Sequence, residues 1–164
     1  MNDFIKEPIA SVWEVTMGCN MRCMHCGSSC ETPLEGELTT AEALDLISQM
    51  KEVGLKYVAL SGGEPTIRKD IFLLARALSD SGISFSLLSN GWLIDEKMIS
   101  KAIDSNLSYI TMSLDGLQET HDRIRKPQSF IRIMSTLDLL SKNGIKTGIV
   151  TTLYKQRRYD VRTR

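Results

Sequence analysis

Apolar positions recur along this chain in two rhythms that take turns: a helical spacing of three or four, then a short unbroken run. Thr39 to Val53 carries the helical rhythm. Thr39-x-x-Glu42 has the form of a capping box, and Leu44, Ile47 and Leu55 flank a glycine stop at Gly54. Lys56 to Leu60 is then a strand, closed by Ser61-Gly62-Gly63-Glu64-Pro65. Asp70 to Ser81 is the next helix, with Ile71, Leu74 and Leu78 on one face and Gly82 after it. Ile83 to Leu88 is a strand ending at Ser89-Asn90-Gly91. Asp95 to Ser105 is helical, and Leu107 to Met112 is a strand ending at Ser113-Leu114-Asp115-Gly116. Ser129 to Lys142 sets Phe130, Ile133, Leu137 and Leu140 in helical register before Asn143-Gly144 ends it. Ile145 to Leu153 is a last strand, and Ile9 to Val15 is an earlier one.

Five strands and four main intervening helices in strict alternation predict parallel pairing through right-handed crossovers. No G-x-G-x-x-G follows any strand. The expected fold is therefore α/β, a barrel-like sheet of about five parallel strands in preference to a dinucleotide-binding sheet. Functional groups in such barrels lie at the C-terminal strand ends. Here those ends carry the loop after the first strand, Ser61-Gly62-Gly63-Glu64, Ser89-Asn90, Ser113 and Asp115, which should meet on one face.

Composition narrows the class. The 164 residues are 42% hydrophobic and 24% charged, enough for one sizeable core. Formal net charge is zero, so no broad nucleic-acid or membrane surface is expected. No apolar run reaches the ~20 residues of a membrane span. Met1 to Pro8 has neither a basic start nor a long apolar stretch, so it does not read as a secretory signal. With clustered thiols, a reducing cytoplasm is the expected location.

Those thiols carry the chemistry. Cys19, Cys23 and Cys26 are spaced C-x3-C-x2-C in T-M-G-C-N-M-R-C-M-H-C-G, just past the first apolar run. Three thiolates hold three corners of a four-iron, four-sulfur cube and leave one iron open. Zinc would also accept these cysteines, with His25 or Cys30 as a fourth ligand, although a distant second cysteine pair is missing. A ferredoxin would run C-x2-C-x2-C-x3-C; Cys23, Cys26 and Cys30 imitate part of that, and Cys19 breaks the register. A disulfide framework fits poorly in a chain long enough to build its own core.

C-x3-C-x2-C after a first strand, followed by Gly62-Gly63-Glu64-Pro65 after a second, resembles the radical S-adenosylmethionine (SAM) superfamily. The resemblance implies a partial (β/α) barrel and a [4Fe–4S] cluster on Cys19, Cys23 and Cys26, with SAM chelating the open iron. An electron then cleaves SAM to methionine and a 5′-deoxyadenosyl radical, which abstracts hydrogen from a substrate. His25 stands at a position that is usually aromatic in the family and lies near the adenine; as a plain loop histidine it would make one local hydrogen bond. Gly62 and Gly63 would let backbone approach SAM, and Glu64 would accept a hydrogen bond from its ammonium group. Ser113-x-Asp115-Gly116, His121-Asp122 and Arg125 resemble the fourth-strand segment of SPASM-type members, which mature peptides and proteins. Ser113 and Arg125 then match the pair that contacts the SAM carboxylate, for which a planar guanidinium fork is apt. Asp115 reads as a turn former before Gly116, His121 as a locally packed residue at a helix start, and Cys30 as a loop residue with no cluster role.

The resemblance covers Ile9 to about Leu153, so the domain reading is an extension at 1–8, a partial barrel at 9–153 and a basic tail at 154–164. A sixth strand, two further helices and a cysteine-rich SPASM domain are missing from the pattern, and a truncated reading frame is expected. The last strand would then be an open edge prone to association. The functional expectation is a radical SAM enzyme portion acting on a peptide or protein, reduced by a donor such as flavodoxin or ferredoxin. The alternatives are an inactive fragment that still binds cluster and SAM, and a non-catalytic zinc-binding module.

Overall fold

Parallel pairing runs unbroken from the first strand to the last. The computed structural model describes residues 8–107 and 109–153. The basic tail from residue 154 and all of the N-terminal extension except Pro8 lie outside the described residues. One sheet holds β1 (Ala10–Glu14), β2 (Tyr57–Ser61), β3 (Ser84–Ser89), β4 (Tyr109–Ser113) and β5 (Lys146–Val150), in that order. Every neighbouring pair is parallel. A dinucleotide-binding sheet reverses its strand order at a switch point; this one does not, and it winds in a single direction as a barrel does. The fold is α/β and the barrel is partial.

The helices are α1 (Thr40–Glu52), α2 (Ile71–Asp80), α3 (Glu96–Asp104), α4 (Gln118–Ile124) and α5 (Ser129–Lys142). Thr39 and Glu42 form the expected capping box: the Glu42 N–H donates to Thr39 Oγ1 at 3.3 Å, and the Thr39 N–H donates to Glu42 Oε2 at 2.8 Å. Asp95 caps α3 by accepting from the Met98 N–H at 2.8 Å. Two elements were not expected. Pro65–Ile67 is a 3₁₀ turn, and α4 is a short helix whose sequence has no apolar stripe. Its inward residues are His121 and Ile124, so a polar side chain replaces the usual apolar anchor.

Alternation along the strands gives the sheet two unlike faces. Val58, Leu60, Phe85, Leu87, Ile110 and Met112 join Ile47, Leu74, Leu78, Ile99, Ile133 and Leu140 of the helices in one core. Full burial of Leu74 or Leu78 contributes about 1.5–3 kcal/mol each. The other face carries smaller or polar residues, among them Ala59, Ser86 and Thr111, outside that core. Among the described residues β1 and β5 are the sheet edges, and Ile149 and Val150 on β5 are exposed. The last strand stops at Val150, short of the expected Leu153. Beyond it Thr151 Oγ1 donates to the Leu114 carbonyl and the Thr152 N–H donates to Asp115 Oδ1, which draws the chain out of the ladder.

Past the ends of β1 and β2 the two chains stay zipped together. The Gly63 N–H donates to the Thr16 carbonyl at 2.7 Å, and the Glu64 N–H donates to the Gly18 carbonyl at 2.8 Å. A Cβ at Gly63 would lie 2.2 Å from the Gly18 oxygen, and one at Gly62 would lie 2.2 Å from the Thr16 oxygen. Gly62 also sits at φ +136°, a conformation that side chains resist. The glycine pair therefore serves the approach of two backbones to each other. Gly63→Ala is expected to lower stability by about 3 kcal/mol, because backbone and not a flexible side chain is in the way. Gly27→Ala, whose Cβ meets nothing within 4 Å, is the control and should be near neutral. Urea midpoints of the two variants check this.

Candidate functional site

The loop after β1 is organised before any ligand is considered. Glu37 closes it from below, accepting from the Met17 N–H at 2.7 Å, the Leu34 N–H at 2.9 Å and the Thr16 hydroxyl at 3.1 Å. These bonds outweigh the upward push of partial burial and hold its carboxyl below the usual range. The Cys19 N–H donates to the Glu31 carbonyl at 3.1 Å, and the Met24 N–H donates to the Ile124 carbonyl at the end of α4 at 2.8 Å. Arg22 ties the loop to itself through the Cys19 and Met21 carbonyls, both at 2.9 Å.

This loop forms one wall of an open concavity of about 250 Å³. Cys19, Cys23, His25 and Cys26 line it from the β1 side, and Ser61 to Glu64 line it after β2. Ser89 and Asn90 come from β3, Ser113 from β4, Arg125 from the end of α4, and Thr152 from beyond β5. All nine expected site residues, Cys19, Cys23, Cys26, His25, Gly62, Gly63, Glu64, Ser113 and Arg125, thus border one cavity. Cys19 and Cys23 are half-buried, and Cys26 is exposed.

The thiols differ electrostatically. Burial pushes Cys19 and Cys23 up; the Met21 N–H at 3.4 Å opposes this at Cys19, and the Arg125 guanidinium opposes it at Cys23. Cys26 is brought below its ordinary value: burial raises it, but the N–H groups of Cys30, Ser28 and Ser29 and the Cys30 thiol more than compensate. Cys30 is therefore more than the plain loop residue expected. It is buried, and it supplies hydrogen bonds to Cys26.

Glu64 is wholly buried, and both of its carboxylate oxygens accept hydrogen bonds within the chain. Oε1 accepts from the Thr66 N–H, the Thr66 hydroxyl and the Ser89 hydroxyl, and Oε2 accepts from the Asn90 N–H at 2.7 Å. Burial pushes its pKa up against those bonds. It bolts the loop after β2 to the end of β3 while still lining the cavity.

Asp115 is the residue the sequence undervalued. Its side chain is 0% exposed. It accepts from Arg125 Nε at 2.6 Å, Arg125 Nη2 at 3.3 Å and the Thr152 N–H at 3.0 Å, and His25 Nε2 lies 3.2 Å from its Oδ2. Its own N–H donates to His121 Nδ1 at 3.2 Å. Burial raises its pKa, but Arg125 and Thr152 outweigh that and hold the carboxyl below its ordinary value. His25 thereby makes a long-range contact instead of a local one, and its Nδ1 is buried without a partner. Arg125 has its side-on edge on Asp115 and turns Nη1 toward Cys23 Sγ at 3.8 Å. One signal could have found this: His121 and Arg125 lie one helical turn apart, downstream of an aspartate at a strand end.

The radical SAM superfamily profile matches residues 13–159. This chain belongs to that superfamily. Radical SAM proteins are enzymes, and a [4Fe–4S] cluster with SAM is their characteristic cofactor pair. The Fe-coproporphyrin III synthase of Methanosarcina barkeri is 37% identical over 158 residues, covering 95% of this chain and 39% of that protein. The mycofactocin maturase MftC of Mycobacterium tuberculosis is 32% identical over 149 residues, covering 88% of this chain and 38% of that protein. Among solved structures, Streptococcus suis SuiB bound to S-adenosylmethionine superposes with a TM-score of 0.81 at 22% identity, over 93% of this chain and 36% of that one. The chain thus spans under half the length of each of these three relatives.

The residues present fit the radical SAM cofactor pair. Three thiols share one open wall, and hydrogen bonds lower the pKa of one of them, Cys26. Asp115→Ala should lower stability by about 3–5 kcal/mol, since it strands the Arg125 guanidinium at 10% exposure. The sign with pH follows from the depressed carboxyl. Its contribution is present above the unfolded value of about 3.9 and is lost as pH falls through the lower folded value. Urea midpoints across pH 2.5–6 should show an acid-sensitive component in the parent chain that is missing in Asp115→Asn.

Proposed function

We propose that this chain is the cofactor-binding part of a radical SAM enzyme, with Cys19, Cys23 and Cys26 holding a [4Fe–4S] cluster. The observation that carries the reading is the shared cavity: the C-x3-C-x2-C thiols face the Gly62-Gly63-Glu64 loop and the ends of β3 and β4 across it. When bound, the cofactor pair supplies one-electron cleavage of SAM and hydrogen-atom abstraction from substrate. The chain's own residues bind and orient. The N–H groups around Cys26 favour its thiolate form, and Arg22 and Glu37 keep the cysteine loop in shape. Ser61, Gly62, Asn90 and Ser113 line the rest of the cavity, which supports their binding the methionyl end of SAM. Glu64 sets that wall by fixing Asn90 and Ser89. His25, which lines the cavity, offers a buried, unpartnered Nδ1.

A peptide or protein is the proposed substrate class. Support comes from relatives named mycofactocin maturase and PqqA peptide cyclase, and from the SuiB structure with its precursor peptide SuiA. The higher identity to the Fe-coproporphyrin III synthase and to an AdoMet-dependent heme synthase favours a second reading, a tetrapyrrole substrate. A flavodoxin or ferredoxin is the proposed electron donor. No described helix is long and apolar enough to cross a membrane.

Anaerobic reconstitution tests the site. The parent chain should bind about four irons and release 5′-deoxyadenosine from SAM under a strong reductant. Alanine at Cys19, Cys23 or Cys26 should abolish iron retention, and Cys30→Ala should keep it, since Cys30 only hydrogen-bonds Cys26. Equal iron loss from Cys30→Ala and Cys23→Ala, or uptake of zinc alone, would overturn the assignment.

A further inference from the structure

Resemblance placed Arg125 on the carboxylate of SAM. The geometry points elsewhere. A guanidinium has a side-on edge, Nε with Nη2, and a remaining nitrogen, Nη1. In this chain Asp115 takes the side-on edge, at 2.6 and 3.3 Å. Nη1 then faces Cys23 Sγ at 3.8 Å, within the reach of an N–H···S hydrogen bond. Both partners are well shielded: the Arg125 side chain is 10% exposed and the Asp115 side chain 0%. The pair is also braced. Asp115 also accepts from the Thr152 N–H and stands 3.2 Å from His25 Nε2, and the Met24 N–H docks the cysteine loop on the Ile124 carbonyl, next to Arg125. A charge held this firmly at one thiol acts on whatever that thiol ligates.

Building on the cluster assignment above, we propose that Arg125, positioned by Asp115, is the electrostatic partner of the cluster at Cys23 and raises its reduction potential. Reduction adds negative charge to a cluster. A fixed cation and an N–H donor at a ligating sulfur both favour the reduced form, and these are the levers by which proteins tune such centres. Asp115 is a positioning residue here. Its carboxylate offsets part of the guanidinium charge, but it fixes which nitrogen meets the sulfur.

The test uses the full chain, reconstituted anaerobically, with the cluster midpoint potential followed by electron paramagnetic resonance and SAM affinity by calorimetry. Arg125→Gln should give a more negative potential than the parent while iron content holds and SAM affinity changes by less than about twofold, against the tenfold or more lost with a direct charge-assisted bond. Arg125→Lys keeps the charge without the fork and should fall between the two; it also decides the matter if Arg125→Gln loses its cluster. Unchanged potentials in these variants overturn the proposal. So does a tenfold loss of SAM affinity at unchanged potential, which would return Arg125 to the SAM carboxylate. A parent chain that takes up no iron overturns the cluster assignment itself, a failure visible before any variant is made.

Discussion

Two backbones that touch without side chains between them organise this site. Gly62 and Gly63 pack so closely on Thr16 and Gly18 that a single methyl group at either glycine would collide with a carbonyl oxygen. That contact extends the β1–β2 ladder by two further hydrogen bonds and sets the height of the cysteine loop above the sheet. It also aims the next residue. With its N–H on the Gly18 carbonyl, Glu64 turns its carboxylate inward to the Ser89 hydroxyl and the Asn90 N–H, so the third strand end is fixed by the first two.

Two buried carboxylates then hold the rim by different physics. Glu64 relies on neutral donors, and its burial raises the pKa despite them. Asp115 has a full cation beside it, and its pKa is depressed. A buried ion pair gains little net stability over an apolar equivalent, but removing one partner is costly, so such pairs act as specific locks. Asp115 locks the cysteine loop, α4 and the chain beyond β5 to one another through His25, Arg125 and Thr152.

The division of the sheet into an apolar face and a polar one explains where a cavity can form. Parallel sheets are usually covered on both sides. Here the helices cover the side bearing Val58, Leu60, Leu87 and Ile110, while the side bearing Ser86 and Thr111 leaves the helix-packed core and opens at the strand ends. This shared architecture is what the superposition on SuiB reports at 22% identity. The profile over residues 13–159 carries the membership of the family.

Most of the fold could be read from sequence because it rests on local physics. Apolar spacing, the Thr39 capping box and the glycine stops each act within a few residues, and every expected strand and main helix appears within a few residues of its place. The cysteine spacing and the Gly-Gly-Glu segment named the family for the same reason. Tertiary structure alone decided what the polar groups do. Glu64 became a bolt, Asp115 a hub and Arg125 a neighbour of Cys23, through contacts that join residues far apart in the chain, and Cys30 became a donor to Cys26 within the loop. A carboxylate's role depends on which donors surround it in space, and no spacing rule along the chain records that. Helix α4 was missed on the same ground, since its anchor is a buried histidine bonded to Asp115 and not a stripe of apolar residues.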